Sequence, residues 1–362
     1  MSTRTGTGSA APGGSAAAAV VGDVTRAGAV TVTGAVTGAG AVAGAGAGGR
    51  ADDGDAVPRS ERLLVDVDVV RGLVARQLPQ WADLPVRPVE VGGWDNQTFR
   101  LGDRMTVRLP TAEGYAEAVE KEHRWLPVLA PQLPLPVPVP LALGEPDSTF
   151  RFPWSVYGWI EGERAGPGTV HDLTRFARDL ADFLVALRHV DAAGGPAPGR
   201  HNWFRGGPLL TYDEETRRAI EVLGDLVPGD LATQVWGAGL DATWDGPPVW
   251  FHGDVAVGNL LVRDGVLSAV LDFGTSGVGD PACDLAIAWT LFRGESREAY
   301  RERLGVDAGT WARGRGWALW KALIVYVDEL RDDAAGAAGT RAVIEEILAE
   351  HPSSPGGSAA SA

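Results

Sequence analysis

Cysteine is almost missing from this chain of 362 residues. Cys283 stands alone, which excludes an internal disulfide and fits a reducing cytoplasm. Lysine is nearly as scarce. Lys121 and Lys321 face thirty arginines, which reads as coding bias rather than function. Six histidines (His123, His171, His189, His201, His252 and His351) are scattered without paired ligand spacing, so no zinc centre is expected. There is no Gly-x-Ser-x-Gly elbow and no Gly-Lys-Ser/Thr phosphate loop, which argues against serine hydrolases and P-loop enzymes. Positive charge is also short: 32 Lys and Arg against 47 Asp and Glu leave a net −15. That balance disfavours nucleic acid and anionic membranes as partners and suits a cationic small molecule.

Long apolar runs are missing too. Residues 1 to about 55 contain no Leu, Ile or aromatic residue. They cannot bury enough apolar surface to offset chain entropy, so a disordered tail is expected there. The uncharged run from Ala27 to Gly49 is dominated by Gly and Ala, so membrane insertion would gain little, and it lacks the apolar core of a signal peptide. Residues 351–362 form a second polar tail.

What is present centres on Val249 to Trp289. The stretch reads Val-Trp-Phe-His252-Gly253-Asp254, then four residues, then Asn259-Leu-Leu-Val. Asp264-Gly265 follows, then Leu-Ser-Ala-Val-Leu-Asp272-Phe273-Gly274. Asp-Gly between two short apolar runs predicts a tight hairpin. The hairpin brings Asn259, at its start, near Asp272, at its end, with Asp254 in the loop before. Three oxygen-bearing side chains converge. Phosphoryl transfer needs such a set: a carboxylate to orient a hydroxyl, and an amide with a second carboxylate to hold Mg²⁺ beside phosphates. His252 is expected to hydrogen-bond to backbone and shape the loop, and Asp280 or Asp284 to accept from the loop's amides.

These residues resemble the aminoglycoside phosphotransferase family of small-molecule kinases. The resemblance rests on His252-Gly253-Asp254 with Asn259, on Leu271-Asp272-Phe273-Gly274, and on Gly279-Asp280-Pro281 with Asp284-Leu285-Ala286. More diffuse similarity covers roughly residues 85 to 330. It implies an α+β, protein-kinase-like fold of two lobes: an antiparallel-sheet N-lobe and a mostly helical C-lobe. It implies ATP and Mg²⁺ as cofactors, Asp254 as catalytic base, and Asn259 and Asp272 as metal ligands.

The N-lobe is expected over 60–163. Asp66 can cap a helix with Val67, Val70, Val74 and Leu78 on one stripe. Three strands follow at 87–91, 97–101 and 105–109. By the resemblance, the Gly92-Gly93 turn lies over the nucleotide phosphates. Arg108 stands in the third strand where the family normally has Lys. A helix over 114–129 carries Tyr115, Val119, Leu126 and Leu129 on one stripe. Glu122 falls on that stripe and needs a partner inside, for which Arg108 is the candidate. Strands are expected at 141–143 and 154–160. The resemblance places a hinge after the last, with Trp159 or Ile160 packing near the adenine.

The C-lobe is expected over 164–350. Helices are predicted from about 170 and over 213–223, 232–244, 284–291, 296–304, 310–330 and 340–350. The aromatic and basic loop Asn202–Gly207 reads as structural, or as a contact to substrate. From Arg164 to Glu350 the chain has 18 basic and 28 acidic residues, a net of −10. The expected activity is phosphorylation of a hydroxyl on a small molecule. An aminoglycoside, another hydroxylated amine or a sugar all fit as acceptor. A degenerate nucleotide-binding relative and a metal-dependent phosphohydrolase are the alternatives.

Overall fold

The computed structural model describes residues 62–89, 95–332 and 337–350. Both expected tails and the Gly92-Gly93 turn lie outside the described residues.

Helix α1 (Val67–Gln77) starts where the Asp66 carboxylate accepts from the amides of Asp68 at 2.9 Å and Val69 at 3.0 Å. It buries Val70, Leu73 and Val74. Strands β1 (Val86–Pro88), β2 (Asn96–Leu101) and β3 (Met105–Pro110) follow. Helix α2 (Glu113–Leu129) then crosses to β4 (Pro140–Gly144) and β5 (Trp154–Gly158). The five strands form one antiparallel sheet in the order β1-β2-β3-β5-β4. Phe99, Leu101, Val107, Trp154 and Val156 fill its core with the buried face of α1. The strand expected to run to Ile160 stops at Gly158, one rung short of the last ladder bond, from the Trp159 amide to the Arg104 carbonyl at 2.8 Å.

The second half is built on helices. After β6 (Glu163–Arg164), α3 (Leu173–His189) buries an apolar face from Phe176 to Leu187. Helices α4 (Asp213–Leu223) and α5 (Gly229–Asp241) lead to β7 (Val249–Phe251), β8 (Leu260–Arg263), β9 (Val266–Val270) and β10 (Gly277–Gly279). Helices α6 (Ile287–Thr290), α7 (Gly294–Leu304), α8 (Ala308–Asp332) and α9 (Ala337–Ala349) complete the chain. The helix expected over 284–291 is instead a 3₁₀ turn, Pro281–Ala286, followed by the short α6. Pro281 opens that turn and the Asp280 carboxylate caps it by accepting from Ala282 N at 3.1 Å. Strand β6 was not expected. It is two residues long, and only its pairing with Leu261 and Val262 defines it. The second core joins α3, α5 and α8 to the β8–β9 hairpin and takes in Leu126 and Leu129 from the end of α2. α2 therefore reaches from one core into the other.

Candidate active site

The β8–β9 hairpin turns at Asp264 (φ +53°) and Gly265 (φ +81°), the conformation that an Asp-Gly turn favours. Leu260 pairs with Val270, and the Leu271 amide donates to the Asn259 carbonyl at 2.7 Å. Asn259 and Asp272 thus flank the hairpin's open end. Asn259 Nδ2 donates to Asp254 Oδ2 and to the Asp254 carbonyl, both at 3.0 Å. That orients the amide and ties the loop carboxylate to the hairpin. Asp272 sits at φ +63°, an uncommon conformation for a non-glycine residue.

His252 is fully buried beneath this loop. Its Nε2 donates to the Leu271 carbonyl at 2.9 Å, while Nδ1 accepts from the Asp254 amide at 3.2 Å. One neutral tautomer satisfies both. The Asp284 carboxylate accepts from the His252 amide at 3.0 Å and the Gly253 amide at 2.7 Å. Burial pushes the Asp284 carboxyl pKa up, while nearby His252 and the two amides pull it back. Of Asp280 and Asp284, only Asp284 holds the loop. Asp280 instead forms a buried pair with Arg313, at 2.7 and 3.2 Å.

Arg108 reaches in from β3. Its nearest carboxylate is Asp272, Nη2 to Oδ1 at 3.4 Å, with Glu122 Oε2 farther from Nη1 at 4.0 Å. The expected Arg108–Glu122 pair is therefore long, and Arg108 lies between two carboxylates. Glu122 takes its short hydrogen bond from the Tyr157 hydroxyl, and its Oε1 is buried without a partner. Burial raises the Glu122 pKa, against Arg108. Burial also works against the Arg108 charge, but Asp272 and Glu122 outweigh it and raise its pKa.

A cavity of about 490 Å³ opens between the sheet and the hairpin, within the ordinary size of small-molecule sites. Thr98, Arg108, Trp159, Ile160, Asn259 and Asp272 are among its walls. The Arg100 guanidinium lies over the Trp159 ring, 3.7 Å from its centroid. Asp254 does not line this cavity. It lines a smaller one of about 40 Å³ on its other side, with Arg205, Trp317, Trp320 and Lys321. Among the described residues no three His, Cys, Asp or Glu side chains gather as a metal cage. The set present is one carboxylate and one amide beside a large cavity. That set suits Mg²⁺, which takes one or two protein oxygens and completes its shell with phosphates and water.

Several site residues escaped the sequence reading. Both lysines are here. Lys121 Nζ donates to the Gly274 carbonyl and, at 2.9 Å, to the Ser276 carbonyl, fastening α2 to the segment after Asp272. Burial lowers its pKa to about 8. Lys321 shares the small cavity with Asp254. The reading of lysine scarcity as coding bias left out where the two survivors sit. Asp95 is the other omission. Burial, then Asp272 and Asp254, push its carboxyl up to about 8. The Asn202–Gly207 loop serves structurally through Arg205, whose Nε donates to the Gly253 carbonyl at 3.1 Å.

A family model described as the phosphotransferase enzyme family matches residues 85–317. The chain belongs to this family. It is a small-molecule phosphotransferase, and its fold is shared with solved relatives. One is the GDP and kanamycin complex of APH(2")-IIia, 19% identical, with a TM-score of 0.62, covering 77% of this chain and 98% of that one. Another is the macrolide 2'-phosphotransferase MphH from Brachybacterium faecium, 24% identical, with a TM-score of 0.51, covering 77% and 97%. A type I macrolide 2'-phosphotransferase is 20% identical, with a TM-score of 0.53, covering 78% and 98%. No curated protein matches the phosphotransferase chain. Among the described residues no helix is long and apolar enough to cross a membrane.

Proposed function

We propose that this phosphotransferase moves the terminal phosphoryl group of ATP, with Mg²⁺, to a hydroxyl of a small molecule. The observation that carries this reading is the position of Asp254. It lines a small cavity on one side and is bonded through Asn259 to the wall of a nucleotide-sized cavity on the other. Asp254 orients the acceptor hydroxyl and takes its proton as the oxygen bonds to phosphorus. The bond to the β-phosphate bridging oxygen breaks, and ADP leaves. Asn259 and Asp272 would hold Mg²⁺, which supplies charge neutralisation at the phosphates. Arg108 steadies the nucleotide phosphates, with Glu122 behind it. Trp159 and Ile160 border the base, and Gly92 and Gly93 are proposed to cover the phosphates.

Solved neighbours hold GDP with kanamycin or are named for macrolides. A nucleotide and acceptor screen therefore includes GTP, aminoglycosides and macrolides. A second reading, a nucleotide-binding relative without turnover, draws support from Arg108 resting against Asp272. Acceptor-dependent ADP release distinguishes the two. Asp254→Asn keeps size and one hydrogen bond but removes the base. General-base assistance is worth roughly 10²–10⁴-fold, so kcat should fall by about that factor. The Kd for Mg-ATP should change by less than about threefold, under ~1 kcal/mol. Loss of ATP affinity at an unchanged single-turnover rate would make Asp254 a metal ligand instead.

A further inference from the structure

The lobe that carries Asp254 is acidic overall, yet the cavity beside Asp254 is not. Among the described residues its only lining carboxylate is Asp254 itself, and two cations line it, Arg205 and Lys321. Arg205 is 6% exposed, and its Nη1 is buried with no hydrogen-bond partner. Its Nε is spent on the Gly253 carbonyl, and its guanidinium lies 4.7 Å from the Trp320 ring centroid and 5.3 Å from that of Trp317. Lys321, on α8, is 9% exposed and makes no hydrogen bond or direct ion pair among the described residues. Two further carboxylates act on Lys321 from outside the cavity wall: Asp95, and Glu215, which accepts from Trp320 Nε1 at 2.7 Å. Two buried cations with unused donors face one cavity, and a ligand that accepts from both gives those donors the partners they lack.

We propose that the cavity formed by Arg205, Lys321 and Asp254 takes the anionic end of the acceptor. The substrate class is then a hydroxylated carboxylate, or a larger alcohol bearing an oxyanion near its reacting hydroxyl. The inference rests on the phosphotransferase reading above, with Asp254 facing the acceptor. It reverses the expectation of a cationic acceptor drawn from net charge. Net charge describes the whole surface, whereas recognition is decided by the few groups that lose water on binding. The cavity holds about 40 Å³, room for the carboxylate end of an acceptor. The indole faces of Trp317 and Trp320 would pack on the carbon skeleton, and burial together with Arg205 lowers the Lys321 pKa to about 8. Even so, the ammonium remains mostly charged at neutral pH.

Three probes with one carbon skeleton test this: glycerate, glycerol and 3-amino-1,2-propanediol. Each is supplied with saturating Mg-ATP, and acceptor-dependent ADP release is followed. The wild type should favour glycerate over the amine by about tenfold or more in kcat/KM, since a hydrogen bond to a charged group is worth roughly tenfold to a hundredfold. Lys321→Met should erase most of that preference, mainly through KM, and Lys321→Glu should invert it. Arg205 is a poorer target, because it also holds the catalytic loop. If none of the probes is phosphorylated, their binding is measured by calorimetry in the same proteins, with the same order expected. Equal or better use of the amine by the wild type, or an unchanged preference in Lys321→Met, overturns the inference. Mg-ATP binding without any acceptor is measured alongside. If ATP binds and the charge preference is missing, only this inference falls. If ATP does not bind, the phosphotransferase reading falls as well.

Discussion

Replacing Asp284 tests how the catalytic loop is held. In Asp284→Ala two buried amides, of His252 and Gly253, lose the carboxylate oxygens now 3.0 and 2.7 Å away. The Asp284 side chain is fully buried, so water does not take their place without opening the core. Each orphaned donor costs about 1–3 kcal/mol, so the variant should be less stable by about 2–6 kcal/mol. Against a total of roughly 5–15 kcal/mol that is a large share. Asp284→Asn retains one carbonyl oxygen but turns an NH₂ toward the other amide, so it should fall between wild type and Ala. Urea melts read the order directly, through the midpoint at constant slope. Because His252 also supports Asp254 and Leu271, a surviving fraction of Asp284→Ala should turn over more slowly at unchanged ATP affinity. Wild-type stability in Asp284→Ala would refute the argument, since those amides would then have found other acceptors.

Asp272→Ala should lose Mg-ATP binding together with turnover, measured by nucleotide titration at several Mg²⁺ concentrations; normal binding at ordinary Mg²⁺ would reject the ligand assignment. Arg313→Ala should cost about 3–5 kcal/mol by leaving Asp280 buried and unpaired, a loss that calorimetry detects and that an unchanged melt would contradict. Asp307 caps α8 by accepting from Thr310 N at 2.8 Å, and the hydrogen bonds from Thr310 hold its carboxyl below its ordinary pKa although burial pulls the other way. Its folded pKa is thus depressed. The stability it adds is present above the unfolded value near 3.8 and fades as pH falls through the folded one. Asp307→Ala should therefore cost about 0.5–2 kcal/mol at pH 7 and progressively less in acid; a pH-independent difference would contradict the cap.

The hairpin and its three polar side chains were legible because local chemistry fixes them. Asp264-Gly265 dictates the turn, the two short apolar runs on either side set the strands, and Asn259 and Asp272 follow at the open end. Helix α2 was legible for the same reason, with Glu122 on its buried stripe. The partner of Glu122 was not. Whether Arg108 or Tyr157 reaches its carboxylate depends on side chains from β3 and β5 meeting across a sheet, and spacing along the chain says nothing about that. Tyr157 read as a strand residue, yet its hydroxyl holds Glu122. Lys321 lies 67 positions from Asp254, on a helix whose pattern is mostly apolar, and only folding brings them to one cavity. The one available signal was rarity: in a chain that uses arginine almost everywhere, the two retained lysines both lie at the site.

That retention has a physical reading. An arginine at 121 would have to fit a planar fork where one ammonium now serves two carbonyls, those of Gly274 and Ser276. Its larger head would press on the segment that carries Asp272. Lys121→Arg should therefore disturb nucleotide binding although charge is conserved. We expect the Kd for Mg-ATP to rise by about tenfold, roughly the loss of one charge-assisted hydrogen bond, with the acceptor KM changed much less. Lys121→Met, which keeps the stem and removes the charge, should show at least the same loss. If Lys121→Arg binds Mg-ATP like the wild type while Lys121→Met does not, the position needs a positive charge and not the ammonium's shape. If neither variant differs from the wild type, α2 does not position Asp272 through this contact at all.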